Sequence, residues 1–353
     1  MANMNTDEHA ALWSGEKQRN PALELEQVQQ IEIALAYCNG DVSWLANELV
    51  YYVKKYRMET DQEVPRFKIT VLSKCGNEDS IPDFAKDMNE ELQLGAGTTS
   101  DSRTVNVQVD IIILVNNGGL AHMHYIDYIN QYIEKNTAAT AENSIVIFLT
   151  DSPRTKKFLH ESLRWRKISE MIYYASLGEF ICGIKNRCTT SVFHDVDVLK
   201  KYILANYIRT STGGGDQTAA AAAAGSGEDF NASKYKNLGD FVEKEFDWSF
   251  PDDDLIEVCY GGTFAVPASR FFSDPKLEKD LKRFEQILYT STANSIAPHF
   301  AERLWAAFLA NPLNKDDSST VLRIMDTFAG KNGSYMGTLK SRKMKHCESN
   351  LKF

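Results

Sequence analysis

Four short apolar runs divide the first 151 residues of the chain, and polar turns or segments of helical periodicity lie between them. The runs are Ile31–Cys38, Phe67–Cys75, Asp110–Gly119 and Ser144–Asp151. Uninterrupted apolar stretches of this length are typical of strands that are buried on both faces of a parallel sheet. In segments 42–56 and 120–134, apolar residues instead recur every three or four positions, which predicts helices. The alternation predicts an α/β fold with a mostly parallel central sheet flanked by helices.

The second half of the chain repeats this pattern less clearly. We predict mostly helix from Phe158 to Leu204, and a last helix in segment 299–309 that an Asn-Pro pair stops. Between them, Val258–Phe271 indicates another buried strand, with Phe264 and Val266 packed on one of its faces. This strand predicts that the same sheet continues late in the chain.

Two adjacent glycines, Gly261 and Gly262, interrupt that apolar run. Glycine weakens a strand unless a bulge bends the strand or another group must approach the backbone closely. The pair therefore predicts either a bulged strand or one wall of a ligand cleft.

Changes in composition along the chain indicate where the folded domain begins and ends. Residues 1–28 are polar and predict a flexible N-terminal arm, residues 29–312 form a single α/β domain, and the polar, basic residues 313–353 form a peripheral tail. Residues 211–229 are rich in glycine and serine and include a run of six alanines. Such a segment has too little apolar bulk for a core, so we predict a low-complexity surface insertion within the domain.

The overall composition, 43% hydrophobic and 25% charged, is that of a soluble globular protein. A net charge of −9 argues against a nucleic-acid partner, which would require a basic face. No segment reaches the roughly 18 apolar residues of a membrane span, and the first 25 residues lack the apolar core of a secretory signal. We therefore predict a cytoplasmic location, or a lumenal or secreted one if an upstream signal is missing.

The six cysteines are scattered and include no Cys-x-x-Cys pair, so no zinc ribbon or disulfide framework is indicated. We predict buried thiols in a reducing compartment. For a secreted chain, the alternative is a bond between Cys182 and Cys188, which lie close in sequence.

In an open α/β sheet, ligands bind beyond the carboxyl ends of the parallel strands. The turns after the four apolar runs therefore predict one cleft. The side chains placed there are Tyr37, Asn39, Asp41, Asn116, Asn117 and Asp151.

Asp151 follows the fourth run directly, where a carboxylate can bind Mn²⁺ or Mg²⁺, or a sugar hydroxyl. The competing interpretation is an aspartate that caps the turn. A metal-dependent enzyme typically uses two acidic groups, whereas the sequence Thr-Asp-Ser offers one.

Glu302 and Trp305 are three positions apart, on one face of the last predicted helix. A glutamate beside a large aromatic side chain is a candidate general base, because burial raises the pKa of a carboxyl group. Pairing with a buried arginine or a backbone N–H is the equally weighted alternative.

Other acid and histidine clusters give weaker signals. Asp195 and Asp197 form an Asp-x-Asp pair, but they lie at the start of a predicted helix, where acids are favoured by the helix dipole. His122 and His124 are two positions apart and so point to different sides of a helix, which disfavours zinc. The motifs of serine hydrolases, P-loop ATPases and Rossmann dehydrogenases are absent from the sequence.

Five segments occur in an order that resembles the domain-of-unknown-function family numbered 3431, over about residues 30–312. They read ALAYCNGDVSWL, NGGLAHMHYIDYI, IVIFLTD, YGGTFAV and ERLWAAF. The opening segment is in turn similar to glycosyltransferases of the GT-A type. This resemblance implies a Rossmann-related, nucleotide-binding architecture and transfer of a sugar from a nucleotide sugar.

The sequence also departs from that family. Leu120 and Ala121 stand where the family usually carries Arg-Glu, and Thr150-Asp151 replaces its usual Gln-Gly or His-Ala. The residues that match are Gly261, Phe264, Ala265, Val266, Glu302 and Trp305. If the missing Arg-Glu pair contributes to catalysis, the chain is a divergent or inactive member.

The resemblance assigns roles to the candidate residues. Asp151 would bind the metal or the donor ribose, Glu302 would act as base, and Gly261 and Gly262 would let the backbone approach the sugar. The remaining ligand contacts would be Tyr37, Asn39, Asp41, Asn117, Gly119 and Trp305. The alternatives are a non-catalytic carbohydrate- or nucleotide-binding module, and a structural protein with a vestigial cleft.

Overall fold

A computed structural model describes the central part of the chain in several segments. These are residues 28–38, 43–60, 62–73, 107–113, 121–151, 163–186, 192–202, 235–246, 255–273, 275–290 and 296–310, with residues 86, 90, 250, 315, 318, 319, 321 and 322 described singly. The proposed insertion 211–229 lies outside these segments, as do residues 1–27 and 323–353. The division into arm, domain and tail stays a prediction.

The secondary structure alternates as the apolar pattern predicts, at least as far as the fourth strand. The strands are β1 Gln30–Tyr37, β2 Arg66–Ser73, β3 Val107–Ile113, β4 Ser144–Thr150, β5 Leu163–Trp165, β6 Ile181–Cys182, β7 Ile184–Asn186, β8 Phe193–Asp195, β9 Leu255–Glu257 and β10 Phe264–Pro267. The helices are α1 Ser43–Glu59, α2 Ala121–Lys135, α3 Ala138–Ala141, α4 Ile168–Ser176, α5 Val196–Lys200, α6 Leu238–Glu245, α7 Pro275–Tyr289 and α8 Ile296–Leu309.

Within the described residues, the central sheet has six strands in the order β3-β2-β1-β4-β10-β6. Strands β1 to β4 are parallel to one another, whereas β10 runs antiparallel to β4 and β6. The predicted α/β class with a mainly parallel sheet flanked by helices is therefore confirmed. Strand β10 joins this sheet after the long intervening segment, as the sequence predicted for its late apolar run.

Strand β1 is buried on both faces, and alternate side chains enter two different cores. Ile33 and Leu35 pack with helices α1 and α4, whereas Ala34 and Ala36 pack with helices α2, α7 and α8. All four side chains are fully buried. Since burying one Leu or Ile side chain contributes about 1.5–3 kcal/mol, this double burial explains why β1 reads as an uninterrupted apolar run.

The prediction of mostly helix from Phe158 to Leu204 is wrong. Two short antiparallel pairs, β5 with β7 and β8 with β9, accompany helices α4 and α5 in the described parts of this region and beyond it. Strands of three residues are too short for an alternating pattern to appear in the sequence, because that pattern needs at least four positions.

Helices α2 and α7 meet at a pair of carboxyl groups, Asp127 and Glu285. Tyr289 donates its hydroxyl proton to Asp127 Oδ2 at 2.5 Å, and the Asn130 amide donates to Glu285 Oε2 at 2.7 Å. Burial raises the pKa of Asp127. Burial, followed by the charge of Asp127 and the hydrogen bond to it, raises the pKa of Glu285, with a smaller contribution from Glu134. The pair is therefore more stable with one shared proton than fully ionised.

This pair predicts a contribution to stability that is lost as pH rises. A carboxyl group whose pKa is higher in the folded state than its unfolded value of about 4 stabilises the fold. This contribution is fully present below pH 4 and is lost as the pH rises through the folded-state pKa. We expect Asp127→Asn, which removes one charge, to gain stability relative to the wild type as the pH is raised from 4 to 8. Urea unfolding at each pH measures this difference. Glu278→Gln, on an accessible carboxylate of helix α7, is the control, and a pH-independent difference for Asp127→Asn would contradict the prediction.

Among the described residues, no helix combines the length and the apolar character that crossing a membrane requires.

Candidate functional site

The strand order reverses beside β1. From β1 the chain continues outward through β2 and β3, and it then returns so that β4 lies on the opposite side of β1. Such a reversal opens a crevice between the carboxyl ends of the two central strands, where α/β proteins bind ligands. Tyr37 ends β1 and Asp151 directly follows β4, so both lie at this crevice, as predicted.

Asp151 connects the ends of these two strands. Its Oδ2 accepts the Cys38 backbone N–H at 2.7 Å, and its own backbone N–H donates to the Ala36 carbonyl at 3.1 Å. The side chain is 2% exposed. Within the described part of the chain, Asp151 does not belong to any group of three His, Cys, Asp or Glu side chains close enough to share an ion. The structure thus shows the turn-stabilising contact, and a metal or catalytic role for Asp151 stays a prediction.

The segment Val258–Phe271 is not one bulged strand, so that prediction is wrong. Strand β9 ends at Glu257, a 3-10 turn covers Tyr260–Gly262, and β10 then enters the central sheet. Gly261 has φ +78° and Gly262 has φ +66°, a left-handed conformation that favours glycine. The glycines therefore join two sheets, and this role requires a tertiary arrangement that the apolar pattern alone does not show.

The glycine turn lies at the same edge of the sheet as Asp151. Strand β10 is antiparallel to β4, and its first residue, Phe264, pairs with Phe148 near the carboxyl end of β4. Phe264 and Val266 contribute to one core and Ala265 to the other, which confirms the predicted shared face. The turn therefore lies beside the carboxyl end of β4, and its role as a wall of a ligand cleft stays a prediction.

Side chains of the protein itself fill the space beside both glycines. A Cβ on Gly262 would lie 2.6 Å from His122 Cε1, and a Cβ on Gly261 would lie 3.4 Å from Trp165 Cη2. The sequence predicted that the missing side chains leave room for a ligand. The structure instead shows that Gly262 leaves room for an imidazole.

Trp305 is fully enclosed in the core, so it offers no surface to a ligand. Its ring packs against Phe264 at a centroid distance of 5.2 Å and against Phe284 at 5.9 Å. The indole N–H donates to His122 Nδ1 at 3.0 Å. The predicted direct ligand contact is therefore wrong, because the Trp305 ring is fully buried and its N–H donates to His122.

Glu302 holds the glycine turn in place. Its Oε1 accepts the Gly261 backbone N–H, and its Oε2 pairs with Arg303 Nη1 at 3.3 Å. The Arg303 guanidinium is buried and stacks on the Tyr202 ring, 3.9 Å from its centroid. Both of the pairings that competed with the general-base interpretation are present together. A role as general base stays a prediction.

His194 and Tyr260 add a polar contact that the sequence did not suggest. The Tyr260 hydroxyl and His194 Nε2 are 2.8 Å apart. Burial, followed by the positive charge of Arg303, lowers the pKa of His194 to about 4, so the imidazole is neutral at physiological pH. In the sequence, only the single histidine before Asp195 could have indicated this contact. Asp195 itself accepts the Val198 N–H, which confirms the predicted helix cap.

A disulfide between Cys182 and Cys259 anchors the glycine turn to strand β6. Nearby, Glu257 Oε1 accepts the Cys182 N–H at 3.0 Å, and the Gly183 N–H donates to the Thr263 carbonyl at 2.7 Å. The predictions of reduced thiols and of a Cys182–Cys188 bond are therefore wrong. Cys38 is disulfide-bonded as well.

Several predicted ligand contacts cannot be placed. Asn39, Asp41, Asn116, Asn117 and Gly119 lie outside the described residues.

Comparisons with known proteins include a structural likeness. No family model and no curated protein matches the chain. A solved structure that is similar is that of the mannosyltransferase Ktr4p from S. cerevisiae in complex with GDP. The two are 10% identical, the match covers 88% of this chain and 77% of that chain, and the TM-score is 0.29.

Proposed function

We propose that this chain binds a nucleotide sugar at the carboxyl edge of its sheet and acts as a glycosyltransferase-like protein on an acceptor hydroxyl. The observation that carries the proposal is the position of Asp151 between the ends of β1 and β4, where the strand order reverses. The resemblance to family 3431, and through it to GT-A enzymes, supports the same function. In this proposal the chain is a divergent member of that family.

The glycine turn would form the opposite wall of the binding site. It lies at the same sheet edge and is held by the Cys182–Cys259 bond and by Glu302. A wall fixed at several points costs little ordering entropy when a ligand binds.

The described residues do not form a complete site for Mn²⁺ or Mg²⁺. Such cations prefer several oxygen ligands, whereas Asp151 offers one carboxylate that already accepts the Cys38 N–H. No step of the proposed function is therefore assigned to a metal. The experiment below measures whether nucleotide binding depends on Mn²⁺.

A non-catalytic module that binds nucleotides or carbohydrates is the second candidate function. Sugar transfer needs a base for the proton of the acceptor hydroxyl. Both carboxylate oxygens of Glu302 are engaged, by Gly261 and by Arg303. This observation favours binding without turnover.

Thermal unfolding with UDP, GDP and their sugar conjugates tests the proposal, with and without Mn²⁺. A ligand at 100 times its Kd stabilises the folded chain by about 2.7 kcal/mol. We expect a rise in Tm for the wild type and a smaller rise for Asp151→Asn, whose amide oxygen still accepts the Cys38 N–H. Asp197→Asn, at a well-exposed acid, is the matched control.

Release of nucleoside diphosphate from the bound sugar donor separates the two candidates. Binding with release supports the transferase, and binding without release supports the module. If none of these ligands changes the Tm, the transferase and the nucleotide-binding form of the module are both excluded.

The disulfides also support a proposal about compartment. Disulfides persist in oxidising compartments and are rare in the cytosol. Cys38, Cys182 and Cys259 are all disulfide-bonded. We infer a lumenal or secreted location, in place of the cytoplasmic one that the sequence predicted from its lack of a secretory signal.

A further inference from the structure

At the contact between helices α2 and α7, two buried side-chain oxygens have no hydrogen-bond partner among the described residues. They are Asp127 Oδ1 and Asn130 Oδ1, on residues that are 8% and 7% exposed. The two residues are three positions apart, so they lie on the same face of helix α2. Because buried polar atoms are almost always paired, two unpaired oxygens on one helix face indicate a missing partner.

This face of helix α2 meets the carboxyl group of Glu285 on helix α7. Asn130 Nδ2 donates to Glu285 Oε2 at 2.7 Å, and the Asp127 carboxyl group lies within hydrogen-bonding reach of Glu285. A half-turn of the Asn130 carboxamide exchanges its nitrogen and its oxygen. Asn130 Oδ1 can therefore occupy the position that Nδ2 has now, beside the Glu285 carboxyl group.

The two carboxyl groups have no cationic partner in the described part of the chain, where no Lys, Arg or His forms an ion pair with Asp127 or Glu285. Lys282, which precedes Glu285 by three positions, instead pairs with Glu278 at 2.7 Å. The shared proton accounts for the two carboxyl groups, but it leaves Asn130 Oδ1 unpaired. A bound cation would account for all three side chains.

The cluster is open to solvent on the side of helix α7. Glu285 is half-buried, and Tyr289, whose hydroxyl donates to Asp127 Oδ2, is 41% exposed. This opening lets an ion enter beside Glu285 and lets water complete its coordination.

We propose that Asp127, Asn130 and Glu285 bind a Ca²⁺ ion that joins helices α2 and α7. Carboxylate and amide oxygens are ligands that Ca²⁺ prefers, and it accepts an irregular shell of about six to eight oxygens, water included. Mg²⁺ requires a nearly octahedral shell with short bonds, which side chains from two helices supply less readily. The ion takes the place of the shared proton. The inference goes beyond the proposed function and does not depend on it, because it uses none of the residues at the crevice.

Calorimetric titration of Ca²⁺ into the full chain, after treatment with a chelator, tests this site. We expect the wild type to bind Ca²⁺, and the Kd to rise about tenfold to a hundredfold in Asp127→Asn and in Glu285→Gln, because each change removes one of two charged ligands. Asp197→Asn, the same change as the first at a well-exposed acid of helix α5, is the matched control and should leave the Kd unchanged.

Asn130→Asp provides a test that a folding defect cannot imitate. The change adds a third carboxylate at the position of the amide, so we expect this variant to bind Ca²⁺ more tightly than the wild type. An unchanged or weaker affinity would show that Asn130 is not a ligand and would overturn the inference.

Three further results would contradict the proposed site. If the wild type does not bind Ca²⁺, or if Asp127→Asn and Glu285→Gln bind it as tightly as the wild type, the shared proton alone accounts for the pair. Equal affinity for Mg²⁺ would show general attraction to an acidic surface. If Asp151→Asn abolishes the binding and Asp127→Asn retains it, the ion lies at the crevice.

Discussion

Replacing Cys182 or Cys259 by alanine should lower the free energy of unfolding by about 4.5 kcal/mol, according to the chain-entropy estimate for a loop of this size. The bond joins residues 77 positions apart, so its loss releases a large part of the unfolded chain from constraint. Both cysteines are fully buried, and alanine introduces no unpaired polar atom there. Since small domains are stable by about 5–15 kcal/mol, this loss is a large fraction of the total.

Three variants distinguish loss of the bond from loss of packing. Each single variant breaks the same bond, so the double variant should be little less stable than either single variant. Urea unfolding of all three gives the comparison, and peptide mapping by mass spectrometry should recover a fragment that links Cys182 to Cys259. Additive losses in the double variant, or recovery of two unlinked peptides, would show that the bond is absent.

The strands of the parallel half of the sheet could be predicted closely. The apolar run Ile31–Cys38 became β1 Gln30–Tyr37, and the run Ser144–Asp151 became β4 Ser144–Thr150. These strands are buried on both faces, so nearly every position is apolar and the boundaries are visible. The position of Asp151 followed from the same signal, because the residue after a parallel strand lies at the carboxyl edge.

The glycine turn could not be predicted in the same way. The mainly apolar run Val258–Phe271 begins directly after β9 ends at Glu257 and contains β10, and these two strands belong to different sheets. Where an apolar run crosses such a junction, its hydropathy does not show at which residue the chain passes from one sheet to the other. The paired glycines were the available sign, and they indicated special backbone geometry without saying which neighbour required it.

The contacts of the site were hidden because they join distant segments. His122 is 183 positions from Trp305, and Cys182 is 77 positions from Cys259. The sequence placed His122 only among weak zinc candidates, since spacing along a helix describes one face and not the opposing segment. The partners of charged side chains were easier to predict from the sequence. The pairing of Glu302 was an explicit alternative, because a half-buried glutamate requires a partner.

Gly262→Ala should destabilise the protein more than alanine at any other left-handed glycine in the described residues. Alanine in the left-handed conformation costs about 1–2 kcal/mol, and overpacking adds about 1–3 kcal/mol. The added methyl group would lie 2.6 Å from His122 Cε1, so either the imidazole or the turn must move. We therefore expect a loss of about 2–5 kcal/mol in the free energy of unfolding, together with weaker nucleotide binding.

Three comparisons separate backbone strain from the clash. Gly178 has φ +86° with no atom within 4 Å of the added methyl group, so Gly178→Ala measures the backbone cost alone. Gly261→Ala, with Trp165 at 3.4 Å, adds an ordinary contact. In a His122→Ala background, Gly262→Ala should cost no more than Gly178→Ala, because the obstructing ring is gone. If Gly262→Ala costs the same with and without the imidazole, His122 does not pack against the turn.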